Sequence, residues 1–170
     1  MTTETMPYFF DTEFLEDGRT IELVSLGVCC GDGREFYAEL AGVDWSKANP
    51  WVLANVRPHL QGKPVDRDDV RAGLLAFVGD EKPEFWADYA SYDWVAVAQL
   101  FGTMQDLPAG WPMRVMDVQQ LADHVAELTG WHPELPEPAV GHNALNDALN
   151  VRQRYMICRG ALNEALDAGR

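Results

Sequence analysis

Basic residues are scarce in this chain: 13 Lys and Arg stand against 27 Asp and Glu, a formal net charge of -14 over 170 residues. That deficit disfavours long electrostatic contact with a nucleic-acid backbone, so any nucleic-acid substrate is expected to be held locally. Cysteine is sparse too. Cys29, Cys30 and Cys158 form an odd set that matches neither a zinc spacing nor a disulfide framework, and they read as reduced core residues. The opening MTTETMPYFF lacks the basic region and long apolar stretch of a secretory leader, and no run approaches membrane-spanning length. A cytoplasmic protein without a membrane partner is expected. Repeats, low-complexity tracts and linkers are also missing, which predicts one domain over residues 1–170. A content of 47% hydrophobic and 11% aromatic residues argues for a full core and against disorder.

Three strands are predicted between Tyr8 and Leu40: YFFDTEF, TIELVSLGVCC and EFYAEL, separated by Asp17-Gly18 and Asp32-Gly33 turns. Helices are predicted for PWVLANVRPHL and for VDRDDVRAGLLAFVG, the second with Val70, Leu74, Leu75, Phe77 and Val78 on its apolar face. A short strand EFWADYA leads into the apolar helix DWVAVAQLFG, then strand MRVMDV into helix VQQLADHVAELTG. The proline-rich WHPELPEPAVGH is predicted as an extended loop, and a last helix from about Asn143 to beyond Tyr155, with Leu145, Ala148, Leu149 and Met156 as its apolar face. An antiparallel meander joined to parallel crossover strands is an α/β domain, predicted as a mixed five-stranded sheet covered by helices.

Acids stand where local structure does not require them. Asp11 and Glu13 end the first aromatic strand one residue apart, so they point the same way and repel, and burial would drive them toward protonation unless a cation lies between them. Asp93 falls in the first turn of an apolar helix, where, taken alone, it reads as stabilising the helix N-terminus through its dipole. Asp88, within the predicted strand, reads as a solvent-facing or edge residue. In GHNALNDALNVR, His142 and Asp147 lie about 140° apart on an ideal helix, so His142 belongs to the preceding loop, with Asn143 as N-cap. Asp147 begins a polar stripe through Asn150 and Arg154, while His59, His124 and His132 read as ordinary surface or satisfied imidazoles.

Taken in order, an Asp-x-Glu on the first strand, an Asp opening a buried helix and His-x4-Asp opening the last resemble the DEDD superfamily of 3'-to-5' exonucleases, in the DEDDh subclass that carries histidine in its final motif. FFDTEFLEDGRTIELVSLGV, WADYASYDWVAVAQLFG and GHNALNDALNVRQR resemble blocks of the actinobacterial ribonuclease AS family of polyadenylate-specific 3'-exoribonucleases, over roughly residues 7–157. The segment at about 41–80 and the terminal GALNEALDAGR carry no such signature. The resemblance implies a ribonuclease H-like fold, a homodimer, and RNA 3' ends as substrate. It also implies Asp11, Glu13, Asp93 and Asp147 as ligands of two divalent cations, Mg2+ or Mn2+, and His142 as general base.

Such chemistry accounts for the acid-ended strand. Phosphodiester hydrolysis needs an activated water and a neutralised leaving oxygen, which two divalent cations about 3.5 to 4 Å apart can provide, and carboxylates are the hard ligands such ions take. Asp11 would bridge both ions, and Glu13 would bind one and lie near the terminal ribose. A histidine, with a reference pKa of about 6.5, can take the water's proton, a task suited to a mobile loop. Two bound dications would bring the charge from -14 to about -10. Phe14 is a candidate base-stacking residue and equally a plain core phenylalanine. Two alternatives stay open: single-stranded DNA or oligonucleotides as substrate of the same site, and a non-catalytic module, which loss of one acid would normally betray.

Overall fold

The computed structural model describes residues 5–138 and 140–168. The first four residues of the opening stretch read for a leader, Ala139 of the proline-rich loop, and the last two residues lie outside them. The three meander strands are β1 (Met6–Glu16), β2 (Ile21–Cys30) and β3 (Glu35–Leu40), followed by α1 (Pro50–Asn55), β4 (Pro64–Val65), α2 (Arg67–Val78) and β5 (Pro83–Ala87). Then come α3 (Ser91–Phe101), β6 (Met116–Asp117), α4 (Val118–Thr129) and α5 (Ala144–Ala168). The sheet has six strands in the order β4-β3-β2-β1-β5-β6. β1–β2 and β2–β3 are antiparallel, while β5, β6 and β4 join parallel to their neighbours.

The predicted five strands become six because Pro64–Val65 adds a parallel pair to the end of β3. MRVMDV shrinks to two residues, since only Met116 and Asp117 have partners, Trp86 and Ala87, at the end of β5. PWVLANVRPHL splits into α1 and a 3-10 turn at Arg57–His59, where Pro58 cannot donate to a continuing helix. The last helix runs 25 residues; of its expected apolar face Ala148 is buried, Leu145 and Leu149 are partly so and Met156 is exposed, while Ala144, Val151 and Cys158 complete the buried side. On α2, Val70, Leu74 and Val78 are buried, Phe77 is partly so and Leu75 is exposed. All three cysteines are free and buried.

Strand alternation assigns the two faces. Tyr8 and Phe10 join the larger core with α2 and α3, whereas Phe9 joins Cys29, Trp86, Val118, Ala148 and Val151 under α4 and α5. Asp11 and Glu13 continue the Phe9 face and therefore point toward α5. Gly27 lies across from Asp11 on β2. A Cβ there would sit 2.3 Å from the Ala144 carbonyl and the Leu145 amide nitrogen, so the start of α5 rests directly on the strand backbone. Trp45 packs beside Leu15 and Val24, and Trp111 packs against Phe85 and Phe101, whereas Trp51 is exposed. No helix among the described residues is long and apolar enough to cross a membrane.

Candidate active site

Asp11 and Glu13 from β1 meet Asp147 from the first turn of α5. One carboxylate oxygen of each lies within 4.8 Å of the others. Asp147 is aimed by its own helix end: its Oδ2 accepts the Asn143 amide at 3.1 Å, while Asn143 Oδ1 accepts the Asn146 amide at 3.2 Å, the N-cap bond expected of Asn143. Asp93 arrives from α3 on the opposite face and lines the same cleft without joining that three-oxygen group. Its Oδ1 accepts the backbone amide of Thr12 at 3.0 Å and the Thr12 hydroxyl at 2.5 Å. The dipole-only reading of Asp93 fails to explain why it is buried and tied to the strand between the two other acids.

Burial and mutual repulsion act on these groups in one direction. Asp11 is pushed well above the ordinary carboxylate range, first by desolvation and then by Asp93, Glu13, Asp147 and Asp88. Glu13 is raised to about 8 by burial, with Asp147 and Asp93 adding to it. Asp93 rises to about 6 through burial, against the pull of its two Thr12 hydrogen bonds. Asp147 is raised by burial as well, opposed by the Asn143 and His142 amides. Burial thus favours a bound proton on Asp11 and Glu13 near neutral pH, and a shared cation would relieve all four groups; clustered hard oxygens suit Mg2+ or Mn2+. Asp88 Oδ1, buried with no hydrogen-bond partner, deepens the negative field over Asp11 and Asp93. The residues present thus fit a divalent cation.

His142 lies in the loop two residues before α5, as its spacing from Asp147 requires, and lines the cleft. Its φ of 62° is left-handed. The loop expected to be mobile is tied to the α1 side: the Trp51 ring meets the imidazole edge-on at 4.7 Å, and Asn143 Nδ2 donates to the His59 carbonyl at 3.0 Å. Phe14 lines the cleft and stacks on Tyr92, centroids 5.9 Å apart and planes 15° from parallel. The cleft encloses about 480 Å³.

Asp88 requires a correction. It follows β5 in the turn into α3 rather than lying in the strand, and it is not simply solvent-facing: its Oδ2 accepts Arg154 Nη1 at 2.7 Å. Arg154, only 4% exposed, also donates Nε to the Pro136 carbonyl, to which Asn150 donates as well, and so fastens the proline-rich segment beside the cleft. The signal was present, because Asp147 and Arg154 are seven residues apart and share a helix face. Tyr89 was also missed. It lines the cleft, is 76% exposed, and holds φ at 51°, a conformation an aromatic residue adopts only when its neighbours are fixed. Those neighbours are Asp88, bound to Arg154, and Ala90, whose amide donates to Asp117 Oδ2 at 3.0 Å. No sequence pattern announces that turn.

The family model described as "3'-5' exoribonuclease Rv2179c-like domain" matches residues 6–158. The chain belongs to that family. Two curated relatives, 3'-5' exoribonuclease Rv2179c of Mycobacterium tuberculosis H37Rv and 3'-5' exoribonuclease MT2234.1 of M. tuberculosis CDC 1551, are each 38% identical over 172 residues, covering 97% of this chain and 98% of the relative. Among solved structures, E. coli exonuclease I in complex with a 5cy-dT13 oligonucleotide superposes with a TM-score of 0.67 at 11% identity, and an apo exonuclease I structure with 0.68 at 13%. This chain aligns over 97% of its own length but spans only 42% and 44% of those chains. That likeness shows the fold, which is ribonuclease H-like.

Proposed function

We propose that this family member is a metal-dependent 3'-to-5' exoribonuclease that releases nucleoside 5'-monophosphates from single-stranded RNA 3' ends or 3' overhangs, with adenylate-rich tails favoured as the family resemblance implies. The observation that carries it is the convergence of Asp11, Glu13 and Asp147 within 4.8 Å, with Asp93 and His142 lining the same cleft. Asp11, Glu13, Asp93 and Asp147 would hold the cations, which when bound supply Lewis-acid activation of water and of the leaving oxygen. His142 accepts the proton of the attacking water. Glu13 and Phe14 hold the terminal nucleotide, and the Trp51 edge contact keeps the imidazole over the cleft. With every motif position filled by a titratable side chain, a non-catalytic module is the weaker reading.

Purified protein with 3'-labelled and 5'-labelled RNA and DNA, with and without magnesium, tests the proposal. Expected are mononucleotide release from the 3' end, a full requirement for the metal, and faster turnover of RNA than DNA. Circular RNA should survive; cleavage of circles at the rate of linear RNA would mean an endonuclease. Equal rates on DNA would favour the oligonucleotide exonuclease of the same site. The homodimer implied by the resemblance and a cytoplasmic location remain part of the proposal, and light scattering at twice 19.0 kDa is the expected assembly result.

A further inference from the structure

A second cavity lies behind the aromatic pair at the cleft. Phe14 lines the acid cleft, its stacked partner Tyr92 lines the cavity, and the two rings form a shared wall. The cavity encloses about 300 Å³ between the β1–β2 turn and the first turns of α3. Ile21, Val95 and Tyr92 are the apolar and aromatic residues of its lining, and Thr20 and Ser91 the hydroxyl-bearing ones. Tyr92 and Val95 are exposed, 53% and 43%, although both sit on an otherwise apolar helix. Of the two charged groups, Glu16 is already engaged by the Gly18 amide at 3.3 Å. The other is Arg19, an exposed cation that makes no ion pair among the described residues, in a chain with twice as many acids as bases.

An aromatic wall, an apolar floor, two hydroxyls and one free guanidinium form a receptor for a nucleotide: a planar base against Tyr92 and a phosphate at Arg19. Resting on the exoribonuclease reading above, we infer that this cavity is the subsite for the base of the penultimate nucleotide. The terminal base lies on the cleft side of the Phe14–Tyr92 wall and its 5' neighbour on the far side, which divides the strand at the bond to be cut. Such a subsite resolves the charge problem, because a repulsive surface needs no contact beyond two nucleotides.

The experiment is a kcat/KM comparison on short RNAs that carry an abasic ribose at the penultimate or at the terminal position. Wild-type protein is expected to lose about tenfold when the penultimate base is removed, in the range of one lost base–aromatic stack. Tyr92→Ala should lose a similar factor on intact RNA and almost nothing more on the penultimate-abasic RNA, while keeping the wild-type response to the terminal-abasic one. Tyr92→Phe should behave as wild type. Val95→Trp, which fills the cavity from an exposed position, should reproduce the Tyr92→Ala pattern with an unchanged unfolding temperature. Independent, multiplicative losses from Tyr92→Ala and the missing base, or no loss from either, would overturn the subsite while leaving 3' exonuclease activity standing. Failure of every linear RNA to be shortened would instead remove the exoribonuclease reading itself.

Discussion

Thr12 gives both of its donors to one oxygen of Asp93, the amide at 3.0 Å and the hydroxyl at 2.5 Å. β1 thereby sends Asp11 and Glu13 to one face of the sheet and uses the residue between them to hold an acid arriving from the other. Thr12→Val keeps the amide bond and deletes the hydroxyl. It should cost about 1 to 2 kcal/mol of stability and about 10-fold or more in activity, partly restored by raised magnesium. An unaltered magnesium titration curve would show that the Thr12 hydroxyl does not serve the site.

Metal-free protein should become less stable as pH rises. With Glu13 raised to about 8 and Asp93 to about 6, the folded chain binds more protons than the unfolded one from the ordinary carboxylate range up to those values. The stabilisation is fully present at the acidic end and is lost as pH climbs through each folded-state value. Thermal melts in EDTA should show Tm falling from about pH 5 to about pH 8, with magnesium raising Tm most at the upper end. A flat profile would mean that the acids are solvated.

Asp11→Asn separates stability from function. Asn at this position has no charge that folding must either bury among the other acids or neutralise with a proton, so the EDTA Tm at neutral pH should rise, while turnover on RNA falls to nearly nothing. Retention of activity in this variant, or of wild-type activity in excess EDTA, would defeat the metal-site assignment.

His142→Ala should reduce kcat by about 10²- to 10⁴-fold yet leave the magnesium-induced rise in Tm, since the acids are untouched. Loss of that rise as well would identify His142 as a support for the cluster instead of a base.

Arg154→Met strands the Asp88 carboxylate, whose other oxygen is already without a partner. With the Asp88 side chain 24% exposed, the cost should fall somewhat below the ~3–5 kcal/mol of a fully buried broken pair, at about 2 to 3 kcal/mol. Adding Asp88→Asn should recover part of it in chemical denaturation, and an absence of recovery would place the loss in the Arg154 contacts to Pro136 and Glu137.

The sequence made the meander legible because Asp-Gly turns and alternating strands are local signals, and the acid positions legible because i,i+2 on a strand is local too. What it hid depends on pairing. Pro64–Val65 is a strand only because β3 ends beside it, and MRVMDV keeps just the two residues for which β5 has partners left. Asp88 was misread for the same reason: its strand-like neighbourhood says nothing of an arginine 66 residues away. Asp93 pointing to Thr12, and Tyr89 held left-handed, are products of tertiary contact with no counterpart in periodicity.

Gly27 gives the site a dependence of another kind. Asp11 faces it across the ladder, and Asp147 hangs three residues beyond the helix start that rests on it. The spacing of the acid cluster is therefore gauged by a missing methyl group. Even alanine at 27 would have to lift α5 off the strand and draw Asp147 away from Asp11 and Glu13. The position on which the chemistry most depends for its dimensions has no chemistry of its own, and a search restricted to reactive side chains would pass over it.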